Sequence, residues 1–248
     1  MNIDVAIPTY GGSEVIEESL DHLRDSAAAS PLSINRIVID YRPDGDETDR
    51  RVRAWAADHG IETEIHTSER SLPESRQFLC ERIETPWFLF LDDDVRVRET
   101  TLSRLANAIA TDVGAVQVRK GRHETDRNGD WSKWRTVRAT TFCTLLRTAC
   151  VRDVVIPPEI TQLEDEYLRQ HVENEHEKLW TFHHGAMIDH DNQGRHQINF
   201  REGYLAAKYG LLPYDYVFNN VPYNILTLGH PWRHTKRALG FCWGHLQR

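Results

Sequence analysis

Over the first hundred residues, two hydrophobic patterns take turns along the chain. "IDVAIP" (3–8), "INRIVIDY" (34–41) and "WFLFL" (87–91) are short, nearly unbroken apolar runs, the pattern of strands buried on both faces. Pro8 is expected to stop the first. Between them lie segments with helical spacing. "SEVIEESLDHLRDSA" (13–27) places Val15, Ile16, Leu20 and Leu23 on one face behind Ser13 as N-cap. "DRRVRAWAADHG" (49–60) ends at Gly60, and "SLPESRQFLCERI" (71–83) carries Pro73 in its first turn. "IETEIHT" (61–67) alternates as a strand does. This β-α-β-α-β-α-β order predicts the α/β class, with an open, mostly parallel, Rossmann-like sheet flanked by helices.

The second half is less regular. "TLSRLANAIA" (101–110) has helical spacing and "VGAVQVRKG" (113–121) reads as a strand, followed by a polar loop at 123–134. "TFCTLLRTACVRDV" (141–154) is apolar enough to be buried. A Pro-Pro turn then leads into a helix within 157–179, and "WTFHHGAMIDHDNQG" (180–194) combines a strand with histidines. At 248 residues the chain has ample length for a real core. No apolar run is long enough to span a membrane and the N-terminus lacks a signal-like stretch, which predicts a cytoplasmic protein. The four cysteines show no CxxC spacing and are expected to be free thiols.

In sheets of this kind ligands bind beyond the carboxyl ends of the strands. Pro8-Thr9-Tyr10, Asp40 and the run Asp92-Asp93-Asp94 all fall at such ends, on one rim. Asp92-x-Asp94 offers oxygen ligands for Mg²⁺ or Mn²⁺, which take one or two carboxylates and leave other positions to phosphates and water. The competing reading is a solvated strand end whose aspartates cap the next turn. Glu164-Asp165-Glu166 either forms an acidic helix start or supplies a general base, since crowded like charges raise the proton affinity of one of them. His183, His184 and His190, with Asp189 and Asp191, form a third group; a neutral imidazole there would complete the coordination of an ion held by Asp94. Rival phosphate-handling classes fit poorly. Neither GxxxxGK[ST] nor GxGxxG is present, and Arg96 stands where dehalogenase-like phosphatases need a small hydroxyl or β-branched residue.

Taken together and in this order, these groups resemble the inverting family 2 glycosyltransferases of the GT-A fold. The likeness spans roughly residues 3–192 and is carried by "VAIPTYGGSEVIEESLDHL", "IVIDYRPDGDETD", "SLPESRQFLCERIETPWFLFLDDDV", "QLEDEYLRQHV" and "AMIDHD". The resemblance implies a nucleotide-sugar-binding half over 1–95, an acceptor-binding half over 96–195 and a C-terminal extension over 196–248. It assigns Pro8, Tyr10, Asp40, Arg76 and Asp92 to the nucleotide and Asp92, Asp94 and His190 to a divalent cation, Mn or Mg. Asp165 would take the proton of the acceptor hydroxyl, and Glu164 would orient the acceptor. No role follows for Asp93. The implied substrates are a nucleotide sugar and a glycan or lipid-linked acceptor. The alternatives are a non-catalytic nucleotide- or glycan-binding relative and a DxD phosphoryl- or nucleotidyl-transfer enzyme.

The net charge of −8 argues against nucleic acid as a partner, and it is unevenly spread: from Arg195 onward the chain carries +5, against −13 for the remainder. The tail interleaves aromatics with these basic residues. It reads either as a peripheral contact with an anionic membrane surface or as a C-terminal helix pair that packs on the domain, with Trp232 and Trp243 in core contacts.

Overall fold

The computed structural model describes residues 1–10, 15–43, 47–120, 139–190, 198–226 and 231–247. Strands β1 (Asn2–Tyr10), β2 (Ser33–Arg42), β3 (Glu62–Thr67) and β4 (Trp87–Leu91) alternate with α1 (Ile16–Ala28), α2 (Thr48–His59) and α3 (Leu72–Arg82) and pair in parallel. After them come β5 (Val95–Val97), α4 (Thr101–Asn107), β6 (Val113–Lys120), β7 (Cys143–Arg147), α5 (Glu164–Asn174) and β8 (Leu179–His190). All eight strands share one sheet in the order β3-β2-β1-β4-β7-β6-β8-β5. β7 enters antiparallel between β4 and β6, and β5 pairs antiparallel with β8. The remaining pairs are parallel, as the sequence pattern predicts.

The unbroken apolar run of β4 follows from its position. Trp87, Leu89 and Leu91 face a core layer shared with α1, α2 and α4, whereas Phe88 and Phe90 face a second layer built with α3 and α5. Each such side chain withdrawn from water contributes roughly 1.5–3 kcal/mol. α3 starts on a reciprocal capping box between Ser71 and Glu74, with proline in its first turn.

Two expectations need correction. Pro8 does not end β1; it lies inside the strand and pairs with Asp40. β4 pairs only with Asp4 to Ala6 of β1, so beyond Ala6 β1 has no strand partner on that side among the described residues and a missing N–H is tolerated. In the tail, α6 (Phe200–Tyr209), α7 (Tyr214–Leu226) and α8 (Pro231–Leu246) pack on the second core layer through Ala206, Val217 and Phe241. α6 and α8 touch backbone to backbone: a Cβ at Gly203 would collide with the Arg237 carbonyl, and one at Gly240 with that of Phe200. Trp232 and Trp243, however, are 65% and 51% exposed rather than in the core. Among the described residues no helix is long and apolar enough to cross a membrane. Ser13, the loop at 123–134 and Asp191 lie outside the described residues.

Candidate active site

The register of β1 against β2 places Pro8 beside Asp40 and Thr9 beside Tyr41, so the carboxyl ends of both strands share one rim. Asp40 is buried and held in place: its Oδ1 accepts from Ser68 Oγ and from Arg70 Nη1, each at 2.9 Å. The Tyr10 hydroxyl donates to the Arg70 carbonyl, and the Arg42 guanidinium lies 5.5 Å from the centre of the Tyr10 ring. Arg70 itself stacks 3.8 Å over the Phe78 ring. The result is an exposed aromatic ring with one guanidinium beside it, next to a fixed carboxylate, which suits a planar, polar ligand.

At the end of β4 the three aspartates separate in role. The Asp92 N–H donates to the Phe142 carbonyl at 3.0 Å, and Val95 N–H returns to the Asp92 carbonyl at 3.2 Å, which makes a tight turn into β5. Asp93 points inward and accepts from the Thr9 hydroxyl. Burial pushes its carboxyl up to about 6; the Thr9 and Tyr10 hydrogen bonds oppose the shift and the charges of Asp92 and Asp94 add to it. Asp93, for which no role follows from the sequence, therefore ties the end of β4 to the end of β1. Asp92 and Asp94 are left half-buried at the rim.

The histidine group lies only partly within the described residues. The backbone of His190 pairs with Val95, one residue beyond Asp94, while the side chains of His184 and His190 lie outside the described residues. His183 Nδ1 accepts from the Gly185 N–H at 3.1 Å. Asp189 pairs with Arg98 at 3.0 Å and lines a separate open depression with His22 and Asp25. The donor set fits a hard divalent ion: two carboxylates that solvent reaches at a strand end, with the β8 end running beside them.

Arg76 joins the two halves of the site. It projects from α3 and is only 4% exposed. Its Nη1 donates to Glu164 Oε1 and, at 2.7 Å, to Asp165 Oδ1, while Nη2 lies 3.4 Å from Asp92 Oδ1. Burial works against this guanidinium's charge, but Asp165, Glu164 and Asp92 outweigh burial and raise its proton affinity. Arg76, expected at the nucleotide, reaches Asp92 and both helix-start carboxylates, and its buried Nε finds no hydrogen-bond partner among the described residues.

The carboxylates come from the start of α5, where the helix dipole favours negative charge. Leu163, just before it, adopts φ +66°, a left-handed conformation costing about 1–3 kcal/mol for a residue of this type. That turn aims the first helical residues back at α3. Glu164, expected to orient the acceptor, is buried against Arg76, and burial raises its proton affinity while the Arg76 charge opposes the rise. Asp165 has a side chain 27% exposed. Its Oδ1 takes both the Arg76 bond and a 2.6 Å bond from the Thr141 hydroxyl, which leaves Oδ2 without a partner among the described residues. Glu166 is turned away, accepting from the Ala139 N–H at 2.8 Å and from Arg169 Nε at 2.9 Å. Arg70 and Thr141 therefore shape the site although no local sequence pattern marks them.

Comparison with solved structures gives the fold. The mannosyltransferase PcManGT of Pyrobaculum calidifontis, in complex with GDP-Man and Mn²⁺, aligns at TM-score 0.65 and 15% identity over 99% of this chain and 74% of its own. S. aureus TarS 1-349 aligns at 0.64 and 14% identity over 100% and 72%. Glucosyl-3-phosphoglycerate synthase of Mycobacterium tuberculosis, with Mn²⁺, UDP and phosphoglyceric acid, aligns at 0.56 and 12% over 77% and 71%. No curated protein matches the sequence. Residues 4–200 match the profile of the family described as Glycosyl transferase family 2. A GT-A sheet, a DxD at the end of a buried strand and a match over most of the length agree: the chain belongs to glycosyl transferase family 2.

Proposed function

We propose that this glycosyltransferase uses a divalent cation and inverts the sugar it transfers, moving it from a nucleotide diphosphate donor to a hydroxyl of a glycan or lipid-linked acceptor. The observation that carries the reading is the Arg76 bridge, which sets the strand-end Asp92 and the helix-start Asp165 on one guanidinium. Donor-side and acceptor-side groups are thereby fixed relative to each other, as a direct displacement requires. Solved structures with a similar fold hold GDP-Man with Mn²⁺ and, in TarS, UDP-GlcNAc, which supports a nucleotide sugar and a cation here.

Tyr10 and the anchored Asp40 would bind the base and ribose, and Asp92, Asp94 and His190 would hold Mg²⁺ or Mn²⁺. Such an ion stabilises negative charge on a leaving diphosphate. Asp165 Oδ2 would accept the acceptor hydroxyl's proton as that oxygen bonds to the anomeric carbon. The bond to the diphosphate oxygen breaks on the opposite face, and its electron pair leaves with the nucleotide. Asp165 suits this task better than Glu164, because Glu164 is buried and occupied by Arg76. Arg76 would hold Asp165 in place and contribute positive charge at the junction with Asp92.

The tail adds a surface partner. Trp232, Leu239, Trp243 and Leu246 are exposed along one stripe of α8, with Lys236 5.4 Å from the Trp232 ring. An apolar, aromatic stripe with cations beside it on a basic segment suits the interface of an anionic bilayer. Binding to phosphatidylglycerol vesicles, lost in a Leu239→Ser/Trp243→Ser double variant, tests this contact.

Calorimetric titration with UDP, GDP and dTDP sugars, with and without Mn²⁺, tests the main reading. The expected result is cation-dependent binding of one donor, weakened by Asp94→Ala and retained by Asp165→Ala. Failure of every donor to bind the folded protein would contradict it.

A further inference from the structure

At the opposite end of α5 from Glu164 and Asp165 lies a second cluster that the transfer reaction does not use. His171 Nε2 is 3.0 Å and His176 Nε2 is 3.1 Å from the same oxygen, Oδ1 of Asp153, and the three ligand-type atoms all lie within 4.8 Å of one another. Three separate pieces of chain supply them. Asp153 follows β7, His171 sits in the last turns of α5, and His176 lies in the turn that leads to β8.

That turn is tightly built. Glu175 N–H donates to the His171 carbonyl at 3.0 Å and Lys178 N–H to the Val172 carbonyl at 3.2 Å. Glu177, next to His176, adopts φ +52°, a conformation that a non-glycine residue holds at an energetic cost. The backbone thus bends His176 back toward α5, where its ring centre lies 5.1 Å from that of His171. Both imidazoles are largely covered, with side chains 14% and 24% exposed, while Asp153 opens to solvent at 64%.

We infer that Asp153, His171 and His176 form a second metal site, which takes a transition-metal dication of the Zn²⁺ class and clasps the far end of α5 to the segments on either side of it. Two imidazoles and one carboxylate are the donors that Zn²⁺ and its neighbours prefer, whereas Mg²⁺ and Ca²⁺ prefer all-oxygen sets. Bonds of 2.0–2.1 Å in tetrahedral geometry separate neighbouring ligand atoms by about 3.3 Å. The nitrogen–oxygen separations of 3.0 and 3.1 Å therefore need to open by only a few tenths of an ångström. A cation would replace the ring protons directed at Oδ1, each of which passes to the other nitrogen of its ring or to solvent. Three protein ligands leave one position for water. The clasp would act on the helix that carries Asp165 without touching the reacting groups.

The test uses Co²⁺ as a spectroscopic probe and Zn²⁺ as its competitor, on the full chain carrying Asp94→Ala so that the strand-end aspartates are weakened as a rival site. The expected result is one equivalent of Co²⁺ with the visible absorption of four-coordinate nitrogen and oxygen ligation, bleached by Zn²⁺, and a Zn²⁺-dependent rise in melting temperature. Adding His176→Ala should abolish the band and weaken binding at least tenfold, the lower end of what even outer-shell losses cost at metal sites. His171→Ala should do the same, and both variants should melt like the parent when metal-free. Should one of them fail to fold, the other decides. No stoichiometric Co²⁺ band in the parent, or a band unchanged in a folded variant, would overturn the inference.

Discussion

Arg36 and Arg76 are both buried guanidiniums surrounded by carboxylates, yet they sit at opposite ends of the same sheet. Arg36 lies near the start of β2, where Nε reaches Asp4, Nη1 reaches Glu64 at 2.9 Å, and Nη2 donates to the Arg82 carbonyl at 2.7 Å beside Glu84. Each of its nitrogens has a partner, and Asp4 is fully buried and further tied to Asn35 and to the Glu84 N–H. Arg76 lies at the carboxyl ends, with Nε unpartnered among the described residues and two of its three carboxylates partly open to solvent. The saturated cluster closes the sheet's amino end. The unsaturated one leaves Asp92 and Asp165 exposed enough to meet a ligand. Under the proposed function, similar residue types serve structure or chemistry according to strand polarity and to how many donors remain unused.

Substitutions should separate the two clusters. Arg36→Ala strands the buried Asp4 carboxylate and should cost about 3–5 kcal/mol of folding stability, measured by urea unfolding, with donor affinity per folded molecule unchanged. Arg76→Lys keeps the charge but loses the planar fork that reaches three carboxylates at once. It should melt closer to the parent than Arg36→Ala does, while turnover falls on the order of a hundredfold through misplacement of Asp165. Equal stability losses in both variants with turnover intact would erase the distinction. Thr141→Val removes one hydrogen bond from Asp165 Oδ1 and should lower turnover about three- to tenfold, the effect of about 1 kcal/mol.

The sequence shows the first four strands and three helices clearly, because each buries its apolar positions at its own local period and carries local stop or start signals such as Gly60 and Pro73. The strand-end carboxylates are equally visible, since an acidic run after an apolar one needs no partner to be noticed. The parts that escaped depend on distant chain. β5 is three residues long and exists because β8 pairs with it. Arg76 meets Asp165 across 89 positions and Thr141 meets it across 24, separations with no periodic trace. Pro8 stays within its strand because of where β4 stops pairing, and Trp232 and Trp243 face outward because glycines let α6 and α8 approach on the other side of the helix.

The most direct test of the central claim is turnover and donor affinity of Asp165→Asn, once the donor is known. The side chain keeps its size and an oxygen to accept from Arg76 and Thr141 but loses its basicity. Turnover should fall by about 10²–10⁴, the usual contribution of a general base, with cation-dependent donor binding preserved. Turnover near that of the parent would remove Asp165 from the role proposed for it, and loss of donor binding would place it on the nucleotide instead.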